Sequence, residues 1–471
     1  DTHWFGEYIQ TFAGATIAGF NEAQAHAAAR AQAESGRLLP GSAGFKSALE
    51  TIKTVPNFAT GAKFKDNTKL YHVDANLNLR DYIDWAEVQF GSTYRRYSLN
   101  SGGTIFTDVN GAINYNEYGV YSQLQKKLME DRLKMTASIR YDKAQNFDGN
   151  VSPRISFAYA AGPDKNQNFR ASFQTGFRNP TTQDQYIGLN SGASILVGTA
   201  PDNLDRYVST PFSLSGGGSR VITGREAHEN SWTEASFEKY QQTNNAADLV
   251  KSNVALVKPE RVSAFEVGYR GLVNKFTVDF SAYFNKYEDF IASSTVIAPL
   301  TNVNVNDAGS NSAIDNGDYK EFAFDTNSKA DVTSYGLGLG VNTKVYKDFN
   351  LGMSYTWSKF SFDQATDPDF EAGFNTPEHK VKLQFGNPNV LKNFGFNVNV
   401  RWQNEYEWQS SFADATIDAR TLVDAQVNYR IPHLKSVIKV GGANLGGKEY
   451  FSAPGVGAIG SQYFVSWTIN N

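Results

Sequence analysis

From about residue 67 to the end of the chain, apolar and polar positions alternate with period two. Successive side chains of a strand point to opposite faces, so this pattern predicts strands with one apolar and one polar face. In 131–142, Leu133, Met135, Ala137, Ile139 and Tyr141 share one face, and Arg132, Lys134, Thr136, Ser138, Arg140 and Asp142 share the other. In 275–285, Phe276, Val278, Phe280, Ala282 and Phe284 oppose Lys275, Thr277, Asp279, Ser281, Tyr283 and Asn285. Fifteen such segments are predicted: 67–80, 83–99, 114–129, 131–146, 150–162, 167–178, 261–272, 275–290, 319–346, 349–362, 377–388, 393–408, 420–431, 435–448 and 460–470. The 319–346 segment is too long for one clean strand and predicts a bulge or an extension beyond the membrane.

Segment length separates two kinds of β-protein. Strands of soluble sheets usually run about 5–6 residues, whereas roughly 9–11 are needed to cross a bilayer obliquely. Many segments here keep alternating for that longer span. The polar face carries full charges (Arg132, Lys134, Arg140, Lys382, Arg401, Asp424), which suits a wet lumen and not a dry core. The apolar face is rich in Phe, Tyr and Trp near strand ends, as an interfacial girdle requires. The expected fold class is therefore all-β, an antiparallel transmembrane β-barrel.

The connections alternate in length. Short ones follow residues 80, 129, 162, 272, 346, 388 and 431; long ones follow 99, 178, 290, 362, 408 and 448, the longest being 179–260. Only 147–149 breaks the pattern. Short periplasmic turns and long extracellular loops are the mark of an outer-membrane barrel. Residues 1–66 are expected to form most of an extracellular loop and to be partly helical. Asn21 opens an Ala-rich run to Glu34 that Ser35-Gly36 closes, and a second helix is expected at 43–53. Loop 179–260 is expected to be exposed, or a partial lid, with one helix around 233–251. Ser215 to Ser219 and Asn302 to Asp318 read as exposed loop. Single-chain bacterial barrels have an even strand count. Fifteen is odd, so an odd number of strands is expected before residue 67. No signal-peptide pattern stands at Asp1-Thr2-His3-Trp4.

Composition narrows the chemistry. Aromatics make up 14%, with 40 Gly and only 14 Pro, a balance that suits strands and tight turns. The formal net charge of −4 gives no reason to expect nucleic acid as a partner. There is no Cys, which excludes thiolate catalysis, Cys-ligated zinc and disulfides. No run of about 18 apolar residues forms a transmembrane helix; strands need none. The six His residues (3, 26, 72, 228, 379, 433) show no H-E-x-x-H pattern. His72 is expected to share the lumen face with Asp74 and Asn76. Asp307, Asp315 and Asp318 lie in an Asn- and Gly-rich loop without the spacing of an EF-hand. Gly336, Gly338 and Gly340 alternate within a strand, so they are small lumen-side residues and not a phosphate loop. Trp4, Tyr8, Trp232 and Trp408 are loop aromatics able to stack on a ligand or to pack the loops. No catalytic residue, metal site or cofactor is expected, and no ligand-binding residue is legible.

Several segments resemble TonB-dependent receptors of the outer membrane, particularly those of Bacteroidetes. They are Asn114-Tyr115-Asn116-Glu117-Tyr118-Gly119-Val120-Tyr121; Ile139-Arg140-Tyr141-Asp142-Lys143 through Asn146-Phe147-Asp148-Gly149, followed by Ser152-Pro153-Arg154-Ile155-Ser156; Asn168-Phe169-Arg170-Ala171-Ser172-Phe173 through Thr175-Gly176-Phe177-Arg178-Asn179-Pro180-Thr181; Leu256-Val257-Lys258-Pro259-Glu260 through Glu266-Val267-Gly268-Tyr269; and Ala443-Asn444-Leu445-Gly446-Gly447-Lys448-Glu449-Tyr450. The resemblance implies a barrel of twenty-two strands with an N-terminal plug. It further implies import of a scarce ligand (siderophore, vitamin, glycan or peptide) with energy from an inner-membrane complex. On that reading the chain is the C-terminal portion of the receptor, with plug, TonB-box segment and first strands absent. Residues 1–66 are then an extracellular loop region and 67–471 barrel. Expected partners are outer-membrane lipid, a TonB-type energy-transducing protein reached through the N-terminal segment, a small ligand and a surface lipoprotein. The alternative function is a non-importing barrel, either porin-like or a receptor-like subunit of a larger outer-membrane assembly.

Overall fold

The computed structural model describes residues 2–56, 61–192, 194–301, 311–367, 370, 373–410 and 414–469. Fifteen long strands form one sheet: β1 Lys69–Asn78, β2 Glu87–Leu99, β3 Ile113–Leu128, β4 Leu133–Ala144, β5 Asn150–Ala161, β6 Gln167–Arg178, β7 Glu260–Val273, β8 Phe276–Glu288, β9 Val332–Val345, β10 Phe349–Ser361, β11 His379–Leu391, β12 Phe394–Gln403, β13 Arg420–Ile431, β14 Ser436–Ala443 and β15 Gln462–Ile469. Every strand pairs antiparallel with its neighbours in sequence, without a crossover. The sheet is open. β1 and β15 are its two edges, and every residue of β1 is exposed.

Register carries the alternation across the sheet. One row runs Leu133, Tyr159, Phe169, Tyr269, Phe280, Leu339, Tyr355, Val381, Trp402, each opposite the next on adjoining strands. One residue away runs Lys134, Ala158, Arg170, Gly268, Ser281, Gly338, Thr356, Lys380, Gln403. A period of two and a fixed register thus turn a sequence pattern into an apolar outer belt and a polar inner wall. Val73, Phe90, Ile139, Phe265, Phe284, Val440 and Trp467 of the belt remain exposed. A contiguous apolar surface of this kind marks a membrane or protein contact.

The buried core lies mostly outside this wall. The described residues of 179–259 and 289–331, where loops were expected at 179–260 and 291–318 and a wall strand from 319, build a folded cap. Its five-stranded sheet joins Trp232–Thr233, Ile291–Pro299, Tyr319–Asn327, Ile195–Val197 and Gly188–Asn190, in that order. The end of the strand Ile291–Pro299, from Val296 on, is buried on both faces. Val296 and Ala298 join Ile195, Val197, Leu204, Ile222, Phe322 and Phe324 in one cluster, while Ile297 joins Trp232, Phe237 and Tyr240 in another. The 319–346 segment is accordingly two elements. Tyr319–Asn327 belongs to the cap and only Val332–Val345 to the wall. The segment 393–408 also divides, since Tyr406–Trp408 pairs with Ala415–Ile417 in a separate hairpin. The cap helix is Glu234–Thr243, shorter than expected; Asn244 ends it in the left-handed conformation, with φ 53°. Ser215 to Ser219 makes the turn between Phe212–Ser213 and Ser219–Arg220.

Residues 2–52 hold three helices, α1 Thr2–Ile17, α2 Glu22–Glu34 and α3 Ala43–Ile52. Asn21 and Gln24 exchange side-chain-to-backbone hydrogen bonds and fix the start of α2. Ala29 and Ala33 are small enough to let α1 approach, and pack against Tyr8, Trp4 and Phe12. α1 was not expected, although Trp4, Tyr8 and Phe12 stand at the four-residue spacing of one helical face. The helices lean on the loops near β15: Glu22 accepts from the Thr416 amide at 3.0 Å, and Arg30 lies 4.4 Å over the Phe451 ring. Residues 65–68 are bonded to the β2–β3 loop beside the other edge, where Asn67 N–H donates to Asn100 O at 2.8 Å.

Candidate functional site

At the long-loop end of β2–β6, the inner wall holds a cleft of about 690 Å³. Arg95 and Tyr97 of β2, Tyr115, Glu117 and Gly119 of β3, and Arg140 and Asp142 of β4 all point inward, because each shares the parity of its strand's polar face. Arg140 donates both fork nitrogens to Asp142, at 2.6 and 2.5 Å, the bidentate geometry that fixes a guanidinium. Gly119 makes room for this pair, since a Cβ there would come within 2.6 Å of Arg140 Nη2. Arg95 lies 3.8 Å from Glu117. The rings of Tyr97 and Tyr115 stand 6.0 Å apart.

The roof of the cleft is Asn179-Pro180-Thr181-Thr182, where β6 turns into the cap. Thr181 caps the short helix Thr182–Tyr186, and Asp184 returns the bond to the Thr181 amide at 2.8 Å. Asn146 donates to the Tyr186 hydroxyl at 2.8 Å and to Gln185 Oε1 at 2.9 Å. Asn179 Nδ2 donates to Glu117 at 3.3 Å, while its Oδ1 is buried with no hydrogen-bond partner. Arg178 pairs with Glu260 at 2.8 Å. Four of the five sequence motifs, dispersed over residues 114–269, therefore meet at one rim. The fifth closes a separate turn: the Asn444 carbonyl accepts from Ser461 Oγ at 2.7 Å and its side chain donates to Lys448 O at 2.9 Å.

The wall carries paired charges, phenol rings and amides, a surface for binding polar ligands by hydrogen bonds and charge. Other sequence-selected residues serve the fold. His72 lies 2.8 Å from Asp74, on the inner face as expected. His379 bonds the Tyr355 hydroxyl at 2.8 Å and His26 that of Tyr8 at 2.6 Å. His228 sits in the cap, its ring edge-on to Phe324 at 5.2 Å, and His433 in the turn before β14. Burial pushes the pKa of both His26 and His228 down. Asp315 accepts from Tyr240 at 2.6 Å and Asp318 from Ser215 Oγ at 2.8 Å; Asp307 and the His3 side chain lie outside the described residues. Burial, with the Asp184 charge second, raises Asp325 well above the usual carboxylate range. Trp4 stacks on Tyr8 at 5.0 Å, Trp232 is buried in the cap and Trp408 lies in the 406–417 hairpin. At Gly336 a Cβ would meet the Tyr283 ring at 2.9 Å, so this glycine seats an inward tyrosine. Among the described residues no three His, Asp or Glu side chains gather as a metal site.

The structure resembles the siderophore receptor PirA from Acinetobacter baumannii (TM-score 0.53, 12% identity, 85% of this chain and 54% of that one). It also resembles the FrpB iron transporter from Neisseria meningitidis (0.53, 12%, 85% and 55%). The ferric enterobactin receptor PfeA from Pseudomonas aeruginosa is similar to the same degree (0.54, 13%, 85% and 53%). The chain thus spans about half the length of these proteins. Comparison with curated protein sequences gives no match. The family model described as TonB dependent receptor-like, beta-barrel matches residues 11–445. With this match across most of its length, and an antiparallel wall of fifteen strands, the chain belongs to the TonB-dependent receptor β-barrel family.

Proposed function

We propose that the chain forms wall and cap of an outer-membrane receptor that imports a scarce ligand, driven by a TonB-type energy-transducing protein. The observation that carries this is the cleft under the cap, where Arg95, Glu117, Arg140 and Asp142 line the inner wall and Asn179 Oδ1 is buried without a partner. The ligand is small and polar, of the siderophore, vitamin, glycan or peptide class; proteins of the same fold include the siderophore receptor PirA and the iron transporter FrpB.

On this reading the apolar belt faces lipid, and the long-loop end with cap and helices α1–α3 is extracellular. Among the described residues, the edges β1 and β15 have no strand partner on their outer side, and each unpaired backbone group in hydrocarbon costs several kcal/mol. Strands beyond these fifteen close the barrel, toward the twenty-two implied by the Bacteroidetes-type resemblance. The chain is then the C-terminal portion of the receptor, and a preceding plug segment contacts the energising protein. A surface lipoprotein docks on the cap side.

The test is uptake of labelled ferric siderophore, cobalamin and oligosaccharide by cells with and without the energising protein. Uptake of one class is expected to need that protein and to fall on Arg140→Ala. Uptake independent of it would favour the non-importing barrel instead.

A further inference from the structure

The ladder between β5 and β6 ends early. Its last pair at the long-loop end is Arg154↔Gln174, yet β5 extends to Asn150 and β6 to Arg178. β6 pairs instead with β7 as far as Arg178↔Glu260. The strands splay, and a cleft of about 330 Å³ opens at the rim.

Parity places this cleft outside the wall. Phe173, Phe265 and Phe284 are exposed members of the belt and stand in register with one another. Two residues further along, on the same face, Thr175, Ser263 and Lys286 stand in register. Phe177, Arg261 and Glu288 form the next row. The polar row therefore begins about 7 Å above exposed phenyl rings, the rise of two strand residues.

Two observations point to an anion here. The neighbouring cations Arg178 and Lys258 are paired, with Glu260 and Asp289. Among the described residues, Arg261 and Lys286 take part in no ion pair, and Glu288 is the one carboxylate lining the cleft. The Thr175 hydroxyl oxygen is buried there without a hydrogen-bond partner. A guanidinium fork, an ammonium and hydroxyl donors match the oxygens of a phosphate.

We propose that this cleft binds the phosphate of a lipid headgroup, held by Arg261 and Lys286 with Thr175 and Ser263 as donors. The inference rests on the reading of the belt as lipid-facing. Free phosphate shares the chemistry, but the exposed rings directly below commit the site to a headgroup whose acyl chains cover Phe173, Phe265 and Phe284.

Native mass spectrometry of the protein in neutral-detergent micelles doped with phosphatidylglycerol or with a phosphate-free galactosyl diacylglycerol tests it. Phosphatidylglycerol is expected to be retained preferentially, and Arg261→Gln with Lys286→Gln to reduce that retention more than about tenfold, each cation near a lipid surface giving about fivefold. Lys380→Gln with Lys382→Gln, the same charge change on the inner wall, is expected to leave it unaltered. Equal retention of the two lipids, or insensitivity to the Arg261 and Lys286 changes, overturns the site. Inorganic phosphate bound in lipid-free micelles overturns the lipid assignment. A polarity-sensitive dye on Phe280→Cys reads the wall separately. A blue shift with no lipid preference leaves the lipid-facing wall standing without this site, and no blue shift overturns both.

Discussion

Arg178 and Glu260 stand 82 positions apart in the chain and meet at 2.8 Å, closing the neck of the cap. Glu260 is buried and also accepts from the Ile291 amide at 3.0 Å, so one carboxylate ties the end of β6, the start of β7 and the first residue of the cap strand Ile291–Pro299. Arg178→Ala is expected to cost about 1–3 kcal/mol, the range for a hydrogen bond to a charged group whose loss strands a buried acceptor. The check is hydrogen exchange, which should speed up in 291–299 while the wall strands 276–288 and 332–345 stay protected.

Phe322 and Phe324 are fully buried in the cap, their rings 6.0 Å apart. Phe322→Ala is expected to cost about 3–5 kcal/mol through lost burial and the cavity left behind. Protease should then cut within 179–259 and 289–331 and leave the fifteen-stranded wall intact. Simultaneous loss of the wall would show that the two do not fold separately.

Phe280 and Ser281 are neighbours on opposite faces of β8. Phe280→Arg is expected to destabilise the protein in a bilayer by about 2–4 kcal/mol, the range for Arg near a barrel's midplane. Ser281→Arg, facing the inner wall beside Gly338, should be mild. Equal costs in a denaturant titration in lipid would contradict the face assignment.

Burial lowers the pKa of His228, the Arg225 charge acts in the same sense, and Glu229 and a backbone bond to Val254 oppose it. A lowered imidazole pKa means the folded cap favours the neutral ring. Its contribution to stability is complete above about pH 6.5, the ordinary histidine value, and is lost as the pH falls below it. Asp325 runs the other way. Its raised carboxyl contributes at low pH and loses that contribution as the pH rises above about 4. On acidification from about pH 7.5 to about pH 5.5, His228 should therefore favour proteolysis of the cap while Asp325 opposes it, and His228→Gln should remove the first effect and leave the cap less sensitive at about pH 5.5 than in the unaltered protein. An unchanged pH response in the variant would assign it elsewhere.

The wall was legible in the sequence because its information is local. Period-two alternation sustained past ten residues placed twelve of the fifteen strands within about four residues of their observed ends, with 319–346, 393–408 and 435–448 running too long, and set Phe280 and Ser281 on opposite faces as observed. Asn21 and Gln24 announced α2 in the same way, since capping is settled within one helical turn. The segment 319–346 misled because Tyr319–Asn327 and Val332–Val345 alternate alike, and only their partners differ. One pairs with Ile291–Pro299 in the cap, the other with β8 and β10 in the wall. The sheet of the cap escaped notice for the same reason, although a partial lid with one helix was expected there. Val296, Ile297 and Ala298 form a strand only because Phe322, Phe324, Ile195 and Trp232 arrive from distant segments to bury both its faces. The cleft is likewise tertiary. Glu117, Arg140, Asp142 and Asn179 each stood in a recognisable motif, but nothing in the motifs says that they face one another. Alternation fixes which way a side chain points; which side chain it meets depends on register and chain return, which are set by contacts between residues far apart in the sequence.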